Sequence, residues 1–235
     1  MNYEFILPAR FLERPNRFIA YADLDGVTVT CHVKNTGRCR ELLVPGVRVF
    51  LQHHPDAAAL KRKTEYSLIS VCKETGGHTE LINLDSQAPN TVAWEWLSQG
   101  GMGSISQLRR EVTYGESRID LAFMKDRQPA FMEVKGVTLE QDGVARFPDA
   151  PTERGIKHLN ELARAAAEGY HASILFVIAM KGVSSFAPNW ATHPAFGDAL
   201  IHAAGCGVQI LARDCIVSPD SLRIDKTVPI DLSRR

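Results

Sequence analysis

In the first third of the chain, apolar and polar residues alternate over short runs: FILPARFLERPNR, FIAYADL, VTVTCHVK, VRVFLQHH and EYSLISVCK. A period of two marks half-buried strands. Turn residues separate the runs, among them Pro45-Gly46 and Asp25-Gly26. Asp25-Gly26, set between FIAYADL and VTVTCHV, is the clearest hairpin signal in the protein. NTGRCRELL predicts a short helix opening after Asn35-Thr36-Gly37. Several short strands and one small helix predict a small β-barrel, of which the oligonucleotide-binding (OB) fold is one instance.

The pattern changes between residues 80 and 90. LINLDSQAPN predicts a polar connection, and TVAWEWLSQG a short helix with Asn90 as its N-cap. RREVTYG predicts a strand, followed by a hairpin over Arg118–Lys135 with Lys125–Pro129 at its tip. The loop GVTLEQDGVARFPDAPT ends at Thr152, before a helix with Ile156, Leu159, Leu162, Ala163 and Ala166 along one face. ASILFVIAM predicts a central strand, HPAFGDALIHAAG a helix and VQILAR a last core strand. From residue 90 onward the order is helix, three strands, helix, strand, helix, strand. That order predicts a three-layer α/β domain around a mixed sheet. The expected division is residues 1–82 for the OB-like barrel and 83–235 for the α/β domain.

With 235 residues there is enough chain for two domains with real cores. Hydrophobic content of 45% and charged content of 23% are those of an ordinary globular protein. The formal net charge is zero, so any nucleic-acid grip must come from a local basic patch rather than a global field. The first residues carry no signal pattern, and no apolar run approaches the roughly 18 residues of a spanning helix. Five cysteines without CxxC spacing fit a reducing compartment better than a disulfide framework. The expected location is cytoplasmic, with no membrane partner.

The chemistry concentrates in the hairpin SRIDLAF…FMEVKGV. Side chains on a strand alternate faces, so Glu133 and Lys135 project together while Val134 points the other way. Asp120 on one strand and Glu133-x-Lys135 on the next, in an α-β-β-β-α-β order, resemble the PD-(D/E)xK nuclease superfamily. Phosphodiester cleavage needs charge neutralisation and a hydroxide-like water in line with phosphorus. Asp120, Glu133 and the Val134 carbonyl suit Mg²⁺ or Mn²⁺ through hard oxygen donors. Lys135 would orient the water. The alternative is a solvated sheet face whose cross-strand charge pairs are each worth at most about 1 kcal/mol. Against it stand the apolar flanks of FMEVK and IDLAF, where unpartnered charge is costly.

A wider set of motifs, NTGRCRELLVPG, SRIDLAF, FMEVKGVTLEQDGVARFPDAPTERGIKHLNEL and PAFGDALIHAAGCGVQILARDCIV, resembles the sugar fermentation stimulation protein A family over nearly the whole chain. The resemblance implies an OB-like barrel, a PD-(D/E)xK-like domain, nonspecific DNA binding and a regulatory role in sugar (maltose) utilisation. It makes Asp120, Glu133 and Lys135 the nuclease-like motif and adds Glu95 as a further metal ligand, against the alternative of a solvated helix residue. FPDAPTERG places Asp149, Thr152, Glu153 and Arg154 around a helix N-terminus, a ready phosphate site. Thr152 and Glu153 would serve equally as caps. Arg154 and His158, four apart, share a helix face.

In the barrel, Asn35, Thr36, Gly37, Arg38 and Arg40 match the family's NTGR loop, with the two arginines as phosphate contacts. The lead-in HVKNTGR departs from the expected HCPNTGR. Arg109 and Arg110 could extend a basic patch, and Trp94, Trp96 and Trp190 are either stacking platforms or packing residues. Two functions compete: a metal-dependent DNA nuclease, and a noncatalytic DNA-binding regulator on the same scaffold. A small-molecule enzyme has no supporting motif. The sequence leaves the oligomeric state open, a homodimer included.

Overall fold

Asp25 and Gly26 both take positive φ, 52° and 85°, the geometry a two-residue hairpin of the primed type requires. The strands on either side pair from Leu24↔Val27 to Ile19↔His32. The computed structural model describes all residues except Thr36, Arg38, Gly76 and Arg235, with the side chains of Thr75 and His78 also left aside. The barrel strands are β1 (Ile6–Asn16), β2 (Ile19–Leu24), β3 (Val27–Val33), β4 (Arg48–His53) and β5 (Tyr66–Thr75). They run in the order β3-β2-β1-β4-β5, and parallel pairing of Cys31–Val33 with Tyr66–Leu68 closes the ring. Alternation fills its interior with Phe11, Ala20, Ala22, Cys31, Val49, Leu51 and Leu68, all buried. The expected OB-like barrel is present.

Two local expectations fail within it. Of NTGRCRELL, Cys39–Leu43 makes a single turn closed by Leu43 N–H to the Cys39 carbonyl (2.9 Å), not a helix; Thr36 and Arg38 lie outside the described residues. Cys39 has φ 44°, and Pro45 follows too soon for a helix to propagate. Leu42 and Leu43 are buried instead. Part of the supposed polar connection is a strand, β6 (His78–Asn83), antiparallel to β5. Its Ile82 is buried.

The second domain comprises α1 (Ala88–Ser98), β7 (Ile105–Tyr114), β8 (Ser117–Lys125), β9 (Gln128–Val137), β10 (Leu139–Gln141), β11 (Val144–Phe147), α2 (Glu153–Ala167), β12 (His171–Ile178), β13 (Ser185–Pro188), α3 (Pro194–Gly205), β14 (Gln209–Ser218) and β15 (Ser221–Thr227). The main sheet has the order β15-β14-β12-β9-β8-β7. β12 lies parallel to both β9 and β14, and the remaining pairs are antiparallel. Val92, Ala93 and Leu97 of α1 cover one face, against Leu121, Met132, Val134, Leu175 and Val177. Leu159 and Leu162 of α2, with Phe196 and Leu200 of α3, cover the other, against Ile174 and Phe176. These are the three layers the helix and strand periods predict. A small sheet, β10-β11-β13, sits within the predicted loop.

The domains are tied together. Asn83 N–H donates to the Ala179 carbonyl (3.0 Å), Lys73 pairs with Glu140, and Asn2 bridges to Ser221. Cys31, Cys39, Cys72 and Cys215 are buried and unpaired, while Cys206 is exposed. Among the described residues no helix is long and apolar enough to cross a membrane.

Candidate metal and phosphodiester site

Leu121 of β8 pairs with Met132 of β9, so the next positions set Asp120 opposite Glu133. The strand period turns Asp120, Glu133 and Lys135 to the face that α2 covers. Val134 N–H donates to Asp120 Oδ2 (2.8 Å) and Asn90 Nδ2 donates to Oδ1 (2.9 Å). Asn90 is not the N-cap, because α1 begins at Ala88 with Gln87 at its cap. Its reach depends on Gly136: a Cβ there would stand 2.7 Å from Pro89 Cγ. The missing side chain lets the start of α1 close on β9 and deliver Asn90.

Glu133 is 1% exposed. Its Oε1 is bonded by both Lys135 Nζ and His158 Nδ1. Arg154 Nε, which can only donate, lies 3.3 Å from His158 Nε2. Nε2 therefore accepts, and the proton sits on Nδ1, which donates to Glu133. Lys135 Nζ, 3.4 Å from Nδ1, is then a neighbour of the imidazole and donates its hydrogen bond to the carboxylate. Glu133 Oε2 is buried with no hydrogen-bond partner. Burial raises the Glu133 pKa more than any other single effect, yet His158 and Lys135 together hold it below the ordinary value.

The other predicted site residues divide. Glu95 is not brought to Asp120. It lies five residues beyond Asn90, well around the helix, and pairs with the Met1 amino group at 2.6 Å. The Thr152 hydroxyl accepts from Gly155 N–H (3.0 Å), so it caps α2. His158 is buried against Glu133 rather than open to a phosphate, whereas Arg154 and Arg40 are exposed. Arg38 and Thr36 lie outside the described residues. The remaining NTGR loop is held by Arg14, which donates to the carbonyls of Asn35 (2.7 Å) and Gly37 (2.8 Å). Its distant position in β1 gave no sign of this. Arg110, Arg213 and Arg234 stack over Trp94, Trp96 and Trp190, which makes the tryptophans packing partners.

The oxygen donors fit a hard divalent cation. Glu133 Oε2 is unused, and each Asp120 oxygen accepts one bond and keeps a lone pair. Among the described residues no three His, Cys, Asp or Glu side chains form a group able to hold a metal ion. The protein thus offers two carboxylates, as Mg²⁺, which keeps several waters, can accept. Burial and then the Glu133 charge push the Asp120 pKa up, against Val134 N–H, Lys135 and Asn90. A carboxyl raised by folding contributes stability at acid pH that is lost as pH rises through its folded pKa. Asp120→Asn should therefore stabilise the metal-free protein at neutral pH by about 0.5–2 kcal/mol. The Asn90 amide can flip to accept from the new amide. The gain should shrink near pH 4, where carboxyls protonate; urea melts at both pH values check this.

The N-terminal segment matches the model of the sugar fermentation stimulation protein N-terminal OB domain over residues 12–84. Residues 87–221 match the sugar fermentation stimulation protein RE domain. A sugar fermentation stimulation protein homolog from Desulfitobacterium hafniense is 52% identical over 232 residues, covering 99% of each chain. One from Clostridium beijerinckii is 48% identical over 233 residues, covering 99% of this chain and all of the relative. The solved structure of Pyrococcus furiosus SfsA in complex with Ca²⁺ superposes with a TM-score of 0.85 at 25% identity, covering 98% of each chain. Two matched domains in the same order and full-length relatives at about half identity make this chain a member of the sugar fermentation stimulation protein family.

Proposed function

We propose that this protein is a metal-dependent phosphodiesterase acting on DNA, with the barrel supplying part of the grip. The observation that carries the reading is the buried, unpartnered Glu133 Oε2 beside Asp120 and Lys135. A carboxylate oxygen stripped of water and left without a donor is costly unless a cation completes it. The Ca²⁺ complex of the Pyrococcus furiosus relative supports an oxygen-ligated cation in this fold.

Asp120 and Glu133 would hold Mg²⁺ or Mn²⁺. When bound, such an ion offsets phosphate charge and lowers the pKa of a coordinated water. The chain's own residues do the positioning. Val134 N–H and Asn90 fix Asp120, and His158 fixes the Glu133 carboxylate so that Oε2 stays free. Lys135, on the same face, would orient the attacking water and offset negative charge on the phosphate oxygens as the P–O bond to the leaving oxygen breaks. Exposed Arg40 and Arg154 would contact backbone phosphates.

The direct test is cleavage of plasmid and single-stranded DNA in Mg²⁺ or Mn²⁺ by wild type and Lys135→Met. Wild-type cleavage that falls by at least about a hundredfold in the folded variant is expected. Salt-sensitive binding without cleavage by the wild type would instead favour the noncatalytic regulator of sugar metabolism.

A further inference from the structure

At the junction of the two domains lies a cavity of about 110 Å³, walled by Asn35, Asp85 and Ser86 on one side and by Thr138, Arg146 and Asp149 on the other. That is room for about three or four waters at ~30 Å³ each. Arg146 is the basic residue of its wall, and Lys34, outside the wall, is committed elsewhere. Lys34 satisfies Asp85 at 2.7 Å. The half-buried Arg146 has its Nε covered and without a hydrogen-bond partner, and among the described residues its guanidinium makes no ion pair. Two acids line the same cavity without reaching it. A guanidinium with a covered Nε and, among the described residues, no acceptor leaves its remaining donors open to an anion. Nearby, the Asn35 side-chain oxygen accepts from Gly37 N–H (2.8 Å), which turns its amide nitrogen into an available donor. Exposed Asp149 stands on the cavity wall as an unpaired acceptor.

From this geometry we infer that the junction cavity binds a single phosphate group, with Arg146 and Asn35 as donors. Asp149 would accept from a hydroxyl or amino group on the scaffold that carries the phosphate. The charge pattern fits a nucleotide unit: a planar fork for phosphate oxygens at one end and a carboxylate for a donor at the other. Two sources share that chemistry, a free small phosphate and the terminal phosphate of a nucleic-acid strand. The cavity wall also contains Pro89 and Gly136, chain neighbours of Asn90 and Lys135.

The test is made in EDTA, without cation and without cleavage, so the phosphodiesterase reading can fail while this one stands. Inorganic phosphate is titrated calorimetrically into wild type, Arg146→Gln and Arg146→Lys. The expected result is binding by wild type, weakened at least about tenfold in Arg146→Gln and less in Arg146→Lys. The Arg146→Gln protein should melt no lower than wild type, since it loses an unpaired cation. Oligonucleotides with a terminal phosphate and with a terminal hydroxyl separate the sources. Tighter binding of the phosphorylated strand assigns the cavity to strand ends, and equal binding assigns it to a free phosphate. No phosphate binding by wild type, or equal binding by Arg146→Gln, overturns the proposal.

Discussion

Glu133→Gln is expected to remove divalent-cation binding and to lower DNA cleavage by about a thousandfold or more, while leaving the fold intact. The substitution keeps size and shape, and the amide oxygen still accepts from His158 Nδ1 and Lys135. What changes is the second position. Wild type has a buried, unpartnered oxygen there, and the variant an amide nitrogen that cannot ligate a cation. Charge stabilisation by a metal is worth several kcal/mol, which is three decades in rate. Calorimetric titration with Mn²⁺ and a cleavage assay check both halves. Tight Mn²⁺ binding by the variant would sink the assignment of this carboxylate.

The same variant carries a pH signature opposite to that of Asp120→Asn. His158 and Lys135 hold the Glu133 pKa below its ordinary value of 4.5 despite burial. A carboxyl lowered by folding contributes stability above its unfolded pKa and loses it as pH falls through the folded value. Glu133→Gln should therefore lose a little stability at neutral pH, and the difference should close below about pH 4. Ionisation of Glu133 is favoured by His158 and Lys135, and that of Asp120 is opposed by burial and by Glu133. Neighbouring carboxylates pushed apart in this way are a mark of functional sites.

The residues that were legible in the sequence are those governed by a short period or a local turn. Period two placed Asp120, Glu133 and Lys135 on one face, Asp25-Gly26 fixed a hairpin, and Thr152 marked a helix start. The failures have two sources. The orientation of α1 could not be read, because AWEWL is apolar on several sides; Glu95 was read as a further ligand, whereas Asn90 is the residue of α1 that bonds Asp120. β10, β11 and β13 are three or four residues long, too short for a period to emerge. His158 was read as a phosphate contact through its spacing from Arg154, although it stands beside Leu159 and four residues before Leu162 on the apolar side of α2, where it is buried. Tertiary packing decides the first two, whereas the apolar period of α2 already pointed His158 inward.

Asp85→Ala is expected to cost about 3 kcal/mol and to weaken the candidate site from a distance. The Asp85 side chain is 1% exposed and joins three separate pieces of chain. It accepts from Lys34 Nζ at 2.7 Å, from Gln87 N–H at 3.0 Å and from the Tyr3 hydroxyl at 3.4 Å. Alanine would leave the largely covered Lys34 ammonium without a counter-charge and the start of α1 without its acceptor. Removing one member of a buried pair costs roughly 3–5 kcal/mol, and the 19% exposure of Lys34 argues for the lower end. For a chain of this length that is a fall in melting temperature of about 6–12 °C. Asp85→Asn, which keeps an acceptor for Gln87 N–H, should lose less. The functional consequence runs through α1. Loosening its first turn frees Asn90 from Asp120, so cation affinity should fall in Asp85→Ala although no ligand is touched. Thermal melts and Mn²⁺ titration on the two variants separate these effects. A destabilised Asp85→Ala with wild-type cation affinity would show that the junction supports the fold alone.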